Sequence, residues 1–372
     1  MSELQLSVLT DRTRLAPAPT TAFDPRNLSP EAFMATAASF GMQPDWARRL
    51  MSRVVGDGIA CPATLKRRVS LSKTVTEAIG ELPRLKLVDV QRSPIDNFVK
   101  LAFATTDDLI LETVLIPLHK PGAVSLCLSS QIGCVMGCTF CATATMKVRR
   151  NLATWEIVDQ LIQARAIVRE EGRRVTGAVF RGMGEPFLNY DRVLAAAETF
   201  SIPYGAAVCG KSITMSTVGL VPEIDRYTQE GRRFRLSISL GAATDEKRRQ
   251  VVPIAAQTPV ADVMAAARRH IEARRQGRAN LAYVCISGFN VGEDDARALG
   301  ALIGDTPVRL DLIDVTDPTG RYQPPTPEEL TTFRDALQRY LGQPVVRRYS
   351  GGADILAACG TLAARNLQAR SL

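Results

Sequence analysis

The sequence predicts an α/β protein organised around a (βα)6 partial barrel. Six short β-rich runs, AVSLCLSSQ, TGAVFRGMG, SITMSTVG, RFRLSISL, NLAYVCISG and VRLDLID, are separated by segments whose apolar residues recur at helical spacing. Strands alternating with helices build a parallel sheet, because each crossover helix covers the sheet it has just left. No Rossmann glycine fingerprint accompanies the six units, which favours an incomplete barrel over a doubly wound sheet. At 372 residues, 46% hydrophobic and 23% charged, the chain has ample material for such a core and for a smaller second unit.

The elements follow in order. Residues 1–24, rich in Pro, Ala and Thr and without period, are expected to form a flexible lead. LSPEAFMATAASFGMQPDWARRLMSRVV then sets a Ser cap and an early Glu before apolar residues at helical spacing, so 25–84 should be a small helical accessory domain. It carries Arg48, Arg49, Arg53, Lys66, Arg67 and Arg68, a set that reads equally as a solvated basic face and as an RNA-contacting one. Across 85–120, LKLVDV, FVKLAFATTDD and LILETVLIPL surround a turn and predict a β-hairpin extension. The barrel core is placed at 121–345, closing with the helix PEELTTFRDALQRYL, and a tail containing Cys359 takes 346–372.

Charge and cysteine content narrow the chemistry. A formal charge of +8 admits an anionic partner such as nucleic acid. No apolar run reaches the 18 or so residues of a membrane-spanning helix, and MSELQLSVLTDRTR lacks a signal-peptide pattern, so a cytoplasmic protein is expected. Eight Cys in that compartment point to metal binding or catalysis rather than to disulfide staples. His119 and His270, the only two histidines, leave little for histidine-based chemistry.

After the first barrel strand the chain reads Cys134-Val-Met-Gly-Cys138-Thr-Phe-Cys141. Three thiolates so spaced can hold one face of a cubane iron–sulfur cluster and leave the fourth iron open to a small molecule. A structural zinc would need a fourth Cys or His nearby, and none follows. Gly182-Met183-Gly184-Glu185-Pro186 ends the second strand; alone, such a run signals only a turn. In a parallel barrel, chemistry gathers at the C-terminal strand ends, where both motifs fall.

This combination resembles the radical S-adenosylmethionine (SAM) superfamily. The runs Leu126-Cys127-Leu128-Ser129-Ser130-Gln131-Ile132-Gly133-Cys134, Glu112-Thr113-Val114-Leu115-Ile116-Pro117, Arg150-Asn151-Leu152, Ser216-Thr217-Val218-Gly219, Ser237-Ile238-Ser239-Leu240 and Asp354-Ile355-Leu356-Ala357-Ala358-Cys359-Gly360 are similar to the RlmN and Cfr families of adenine methyl synthases. The match is collinear from about residue 28 to the end. It implies a 4Fe–4S cluster on Cys134, Cys138 and Cys141, with SAM on the open iron and Gly184, Glu185, Ser216, Ser239 and Leu240 lining its pocket.

The resemblance also implies a reaction. An sp2 carbon of adenine is not nucleophilic, so a polar methyl transfer fails there and a radical route is needed. Cys359 accepts a methyl group from one SAM as a nucleophile. A second SAM, making two per turnover, is cleaved to a 5′-deoxyadenosyl radical, which removes hydrogen from that methyl so that the carbon adds to adenine. Glu112 is then the base for the ring proton, and Cys127 the thiol that attacks the thioether sulfur. A disulfide with Cys359 forms and needs an external reductant. The implied partners are RNA and an electron donor such as flavodoxin, acting on a monomer. Cys61, Cys209 and Cys285 match no motif and read as packing residues.

Several positions depart from the family. Ala142-Thr143-Ala144-Thr145-Met146-Lys147 has no glycine after Cys141, which predicts a stiffer loop over the cluster. Gly241 stands where the family has His, Leu356 replaces an acidic residue, and the family's Asn-Pro near strand six is lost, leaving Thr316 and Asp317 as equal candidates for its SAM contact. Carbon 2 of an adenine in 23S ribosomal RNA is the default target, with transfer RNA as a further candidate. The alternatives are carbon 8 of such an adenine, giving resistance to ribosome-targeting drugs, and C-methylation of a small molecule or peptide. A non-enzymatic iron–sulfur or zinc RNA-binding protein is the alternative from another class.

Overall fold

The computed structural model describes residues 14, 21–274 and 277–363. Its strands are β1 (Lys86–Arg92), β2 (Val99–Ala104), β3 (Ile110–Pro117), β4 (Ala123–Leu128), β5 (Gln131–Ile132), β6 (Arg150–Asn151), β7 (Arg174–Phe180), β8 (Ile213–Thr217), β9 (Arg235–Ser239), β10 (Ala279–Cys285), β11 (Val308–Asp314) and β12 (Val345–Arg348). Ten of them form one sheet in the order β1-β2-β3-β4-β7-β8-β9-β10-β11-β12, and β5 pairs with β6 apart from it. From β4 to β12 every pairing is parallel. Helices Thr154–Glu170, Tyr190–Ser201, Val221–Gln229, Val260–Ala273, Glu293–Ile303 and Pro327–Tyr340 lie in the successive crossovers. The strand order never reverses, so there is no switch point of the doubly wound kind and the sheet curls into a partial barrel.

Aromatic pairs join the two layers. Phe180 of β7 stacks on Phe200 of Tyr190–Ser201 at 6.2 Å, and Tyr283 of β10 on Phe333 of Pro327–Tyr340 at 5.9 Å. All four are buried, and each contributes about 2 to 3 kcal/mol of apolar burial. β12 escaped the sequence reading because its residues are mostly exposed and Arg-rich, so it has no apolar run. The predicted hairpin is instead a three-stranded antiparallel meander, β1 to β3, that joins the barrel sheet through an antiparallel β3–β4 pairing.

Helices Pro30–Ser39, Pro44–Met51, Pro62–Val69 and Lys73–Ile79 precede the sheet. Ser29 caps the first, its Oγ accepting the Ala32 N–H at 3.2 Å. Their buried Phe33, Leu50, Leu65 and Ile79 belong to the same apolar core as the barrel. Residues 1–13 and 15–20 of the expected lead lie outside the described residues, but its end is ordered. Phe23 stacks on Phe33 and Phe40 at 5.9 and 5.4 Å, and Asp24 holds a buried Arg26 at 2.7 Å. No helix among the described residues is long and apolar enough to cross a membrane.

Candidate active site

The site begins where β4 ends. Ser129 Oγ donates to the Glu112 carbonyl at 2.6 Å and accepts the Met183 N–H at 2.9 Å, while the Ser130 N–H reaches the Met183 carbonyl at 2.8 Å. Gln131 Oε1 accepts the Glu185 N–H at 2.8 Å, and its Nε2 donates to Asn151 Oδ1 at 2.7 Å. The Ser-Ser-Gln run thus staples the Gly182–Pro186 turn to β4, and Arg150-Asn151 buttresses it, with Arg150 itself buried on Glu156 at 2.7 Å. Gly184 has φ +98° and an added Cβ would stand 2.5 Å from Gln131 Cβ, so only glycine lets the two turns touch.

Cys134, Cys138 and Cys141 follow on the next loop and border one cavity of about 520 Å³. The loop is held from below: the Thr139 N–H donates to Val251 O at 3.0 Å and its hydroxyl meets Tyr322 at 2.8 Å. Its far end closes as a 3-10 turn, Ala142–Thr145, in place of the absent glycines. Burial pushes all three thiols up, and neighbouring cysteines push the same way, Cys141 on Cys134 and Cys138, Cys134 on Cys138, and Cys359 on Cys141. Such a set does not carry three thiolates unaided; it is completed by a positive group.

Cys127 and Cys359 border the same cavity. Cys127, in β4, is buried and its thiol is raised to about 12, first by burial and then by the nearby Cys359. Cys359 is exposed, in a tail fixed from two sides. On one side the Ala142 N–H donates to Gly360 O at 2.7 Å and Thr143 Oγ1 to Leu362 O at 2.6 Å. On the other, Asp96 Oδ2 accepts the Gly352 N–H at 2.7 Å and the Tyr349 hydroxyl at 3.0 Å. Lys100 Nζ donates to Leu356 O at 3.4 Å and pairs with Glu112 Oε1 at 3.2 Å. Glu112 is therefore a buried member of an ion pair rather than a surface charge.

Gly184, Glu185, Ser216 and Ser239 line the cavity at successive strand ends. Glu185 is buried, accepts the Phe187 and Val218 N–H groups at 3.0 and 2.9 Å, and is raised to about 7 by its burial. Leu240 does not line it. Ser239 faces the cavity, so alternation turns the Leu240 side chain into the core, leaving Gly241 as the next lining residue. Gly241 has φ +75° and a Cβ there would meet Val252 Cγ2 at 2.8 Å, so a histidine would displace Val252. Thr316 lines the cavity, whereas the Asp317 carboxylate caps its own turn through Thr319 and Tyr322. Of the cysteines read as packing residues, Cys285 is buried, but Cys61 and Cys209 are exposed.

The Radical SAM superfamily model matches residues 128–298, the stretch from the end of β4 into the helix before β11. A probable RNA methyltransferase of Myxococcus xanthus is 45% identical, with 91% of this chain and 94% of the relative covered. A probable dual-specificity RNA methyltransferase RlmN of Heliobacterium modesticaldum is 35% identical over 97% of this chain and 95% of the relative. The crystal structure of a radical SAM methyltransferase from Sphaerobacter thermophilus superposes with a TM-score of 0.83 at 32% identity, covering 91% of this chain and 98% of that one. The chain belongs to the RlmN-type family of radical SAM RNA methyltransferases.

A radical SAM enzyme requires a 4Fe–4S cluster and SAM, and the residues present suit both. Among the described residues no three His, Cys, Asp or Glu side chains come close enough to share one metal ion. The donor set itself suits a cubane: three cysteines on one loop bordering one cavity leave a fourth iron open, whereas a structural zinc would want a fourth Cys or His from the same loop. Three features of this RlmN-type site were not anticipated from the sequence. Asp96 and Lys100 emerge only because the meander folds over the tail. The sequence signal for Arg181 is a lone charge in the apolar run Val-Phe-Arg-Gly-Met.

Proposed function

We propose that this protein places a methyl group on carbon 2 of an adenine in 23S ribosomal RNA, with transfer RNA as a second substrate, through a methylated Cys359. The observation that carries this reading is the meeting of two further cysteines, Cys127 and Cys359, with the CxxxCxxC triplet in one cavity. When bound, the cluster on Cys134, Cys138 and Cys141 and two SAM molecules supply the methyl group, the electron and the radical. Gly184, Glu185, Ser216 and Ser239 would hold SAM. Burial keeps Cys127 protonated at neutral pH, so the exposed Cys359 is the thiol fit to take the methyl group by displacement. Cys127 stays in reserve.

Once the carbon on Cys359 is joined to the ring, the radical adduct would return one electron to the bound cluster while Glu112 takes the ring proton, and Lys100 supplies the counter-charge its buried carboxylate needs. Cys127 then bonds to the Cys359 sulfur as the carbon–sulfur bond breaks, its thiol proton passing to the freed carbon to complete the methyl group, and an external reductant reopens the disulfide. The helical segment 25–84 is proposed to grip RNA phosphates. Lys66, Arg67 and Arg68 are exposed there with no ion pair among the described residues, and Arg49 lies 4.8 Å over the exposed Trp46 ring. A monomer in the cytoplasm, served by a flavodoxin-type donor, completes the proposal.

The test is Cys127→Ala, produced with its RNA under anaerobic conditions. The variant should accumulate as a covalent protein–RNA adduct. Release of methylated RNA by this variant at the unsubstituted rate would refute the role of Cys127.

A further inference from the structure

Of the arginines lining the cavity, Arg348 pairs with Asp311, whereas the exposed Arg235 and the half-buried Arg181 make no ion pair among the described residues. Buried Arg26 and Arg150 and half-buried Arg309 each meet an Asp or Glu within 3.1 Å. Arg181, half-buried at the end of β7, makes no ion pair among the described residues and borders the cavity beside Cys127, Cys359 and Glu185. Its guanidinium is nonetheless fixed: Nε donates to Ser216 Oγ at 3.0 Å and Nη2 to Ser237 Oγ at 2.7 Å. A guanidinium carries five N–H donors, so three have no protein acceptor among the described residues. A rigid, partly desolvated donor fork without its acceptor is a recognition element.

Position limits what the fork can receive. Arg181 follows directly on Phe180, which pairs with Leu128, and the neighbouring Val179 pairs with Cys127. A base bonded through carbon to Cys359 and released by Cys127 must lie within bonding reach of both thiols, and so against this fork. The ring edges of adenine offer acceptors at N1, N3 and N7, and a guanidinium offers only donors.

We propose that Arg181 is a catalytic residue that binds the target base, its unclaimed N–H groups donating to a ring nitrogen beside the carbon that is methylated. A charged donor on that nitrogen withdraws density from the ring, which favours addition of a carbon radical and stabilises the charge that develops. The assignment rests on the adenine reading above.

The experiment compares the unsubstituted holoenzyme with Arg181→Met and Arg181→Lys on an RNA fragment carrying adenosine, 1-deazaadenosine or 3-deazaadenosine at the target. Methylation of Cys359 and formation of 5′-deoxyadenosine should stay within about threefold in both variants. RNA methylation should fall about 100-fold or more in Arg181→Met and about tenfold in Arg181→Lys. With the deaza base lacking the contacted nitrogen, the unsubstituted enzyme should slow and the penalty of Arg181→Met should vanish. Loss of Cys359 methylation in step with RNA methylation would overturn the assignment, placing Arg181 behind Ser216 in cofactor binding. Equal rates in Arg181→Met and the unsubstituted enzyme would overturn it as well. Failure of the unsubstituted enzyme to methylate any adenosine RNA would instead refute the adenine reading itself.

Discussion

Two cysteines of one cavity differ in environment, and that difference assigns their work. Cys127 is buried beside the exposed Cys359, and its thiol is raised to about 12. Alkylation of the holoenzyme at pH 8 should modify Cys359 at least ~100-fold faster than Cys127, read by peptide mass spectrometry. Glu185 makes a second prediction. Its carboxyl is raised from 4.5 to about 7 by burial, so between those values the folded protein holds a proton that the unfolded chain has lost. This contribution to stability is full below pH 4.5 and is lost as pH rises toward 7. In cofactor-free protein it amounts to roughly 3 kcal/mol, and Glu185→Gln should flatten that fall in a melting series across pH.

At the scale of elements, the meander and the tail act together. β1 to β3 look peripheral, yet the turn between β1 and β2 holds the segment leading to Cys359 through Asp96, and β2 holds it through Lys100. Asp96→Ala should slow methylation of Cys359 about tenfold while cluster content is unchanged, because it frees the Gly352 and Tyr349 contacts without touching the triplet. This coupling was illegible in the sequence, where Asp96 and Gly352 stand far apart and each reads as a turn residue. The six barrel strands and the cysteine loop were legible, since period, spacing and chain order are local signals. Leu240 misled because its place in a motif was read as a side-chain contact, whereas strand alternation turns it inward. β12 was missed for want of an apolar period, whereas all three strand runs of the meander were legible and only their grouping as a hairpin fell short of the three-stranded arrangement.

For the whole molecule, an excess of positive charge, a strand-end cavity and a helical segment bearing exposed Lys66, Arg67 and Arg68, without ion pairs among the described residues, describe an enzyme built to receive a polyanion. Replacing those three residues by Ala should lower the slope of log affinity against log salt for RNA by about 2 to 3. Cys359 methylation should be untouched, because the cavity lies elsewhere. The central claim is that this cavity methylates an adenine of RNA at carbon 2. Its most direct test is mass spectrometry of nucleosides from ribosomal and transfer RNA after expression in a host lacking its own adenine methyl synthase. The account predicts new 2-methyladenosine that disappears with Cys359→Ala; 8-methyladenosine would contradict the choice of carbon, and neither product, from protein with an intact cluster and methylated Cys359, would contradict RNA adenine as the substrate.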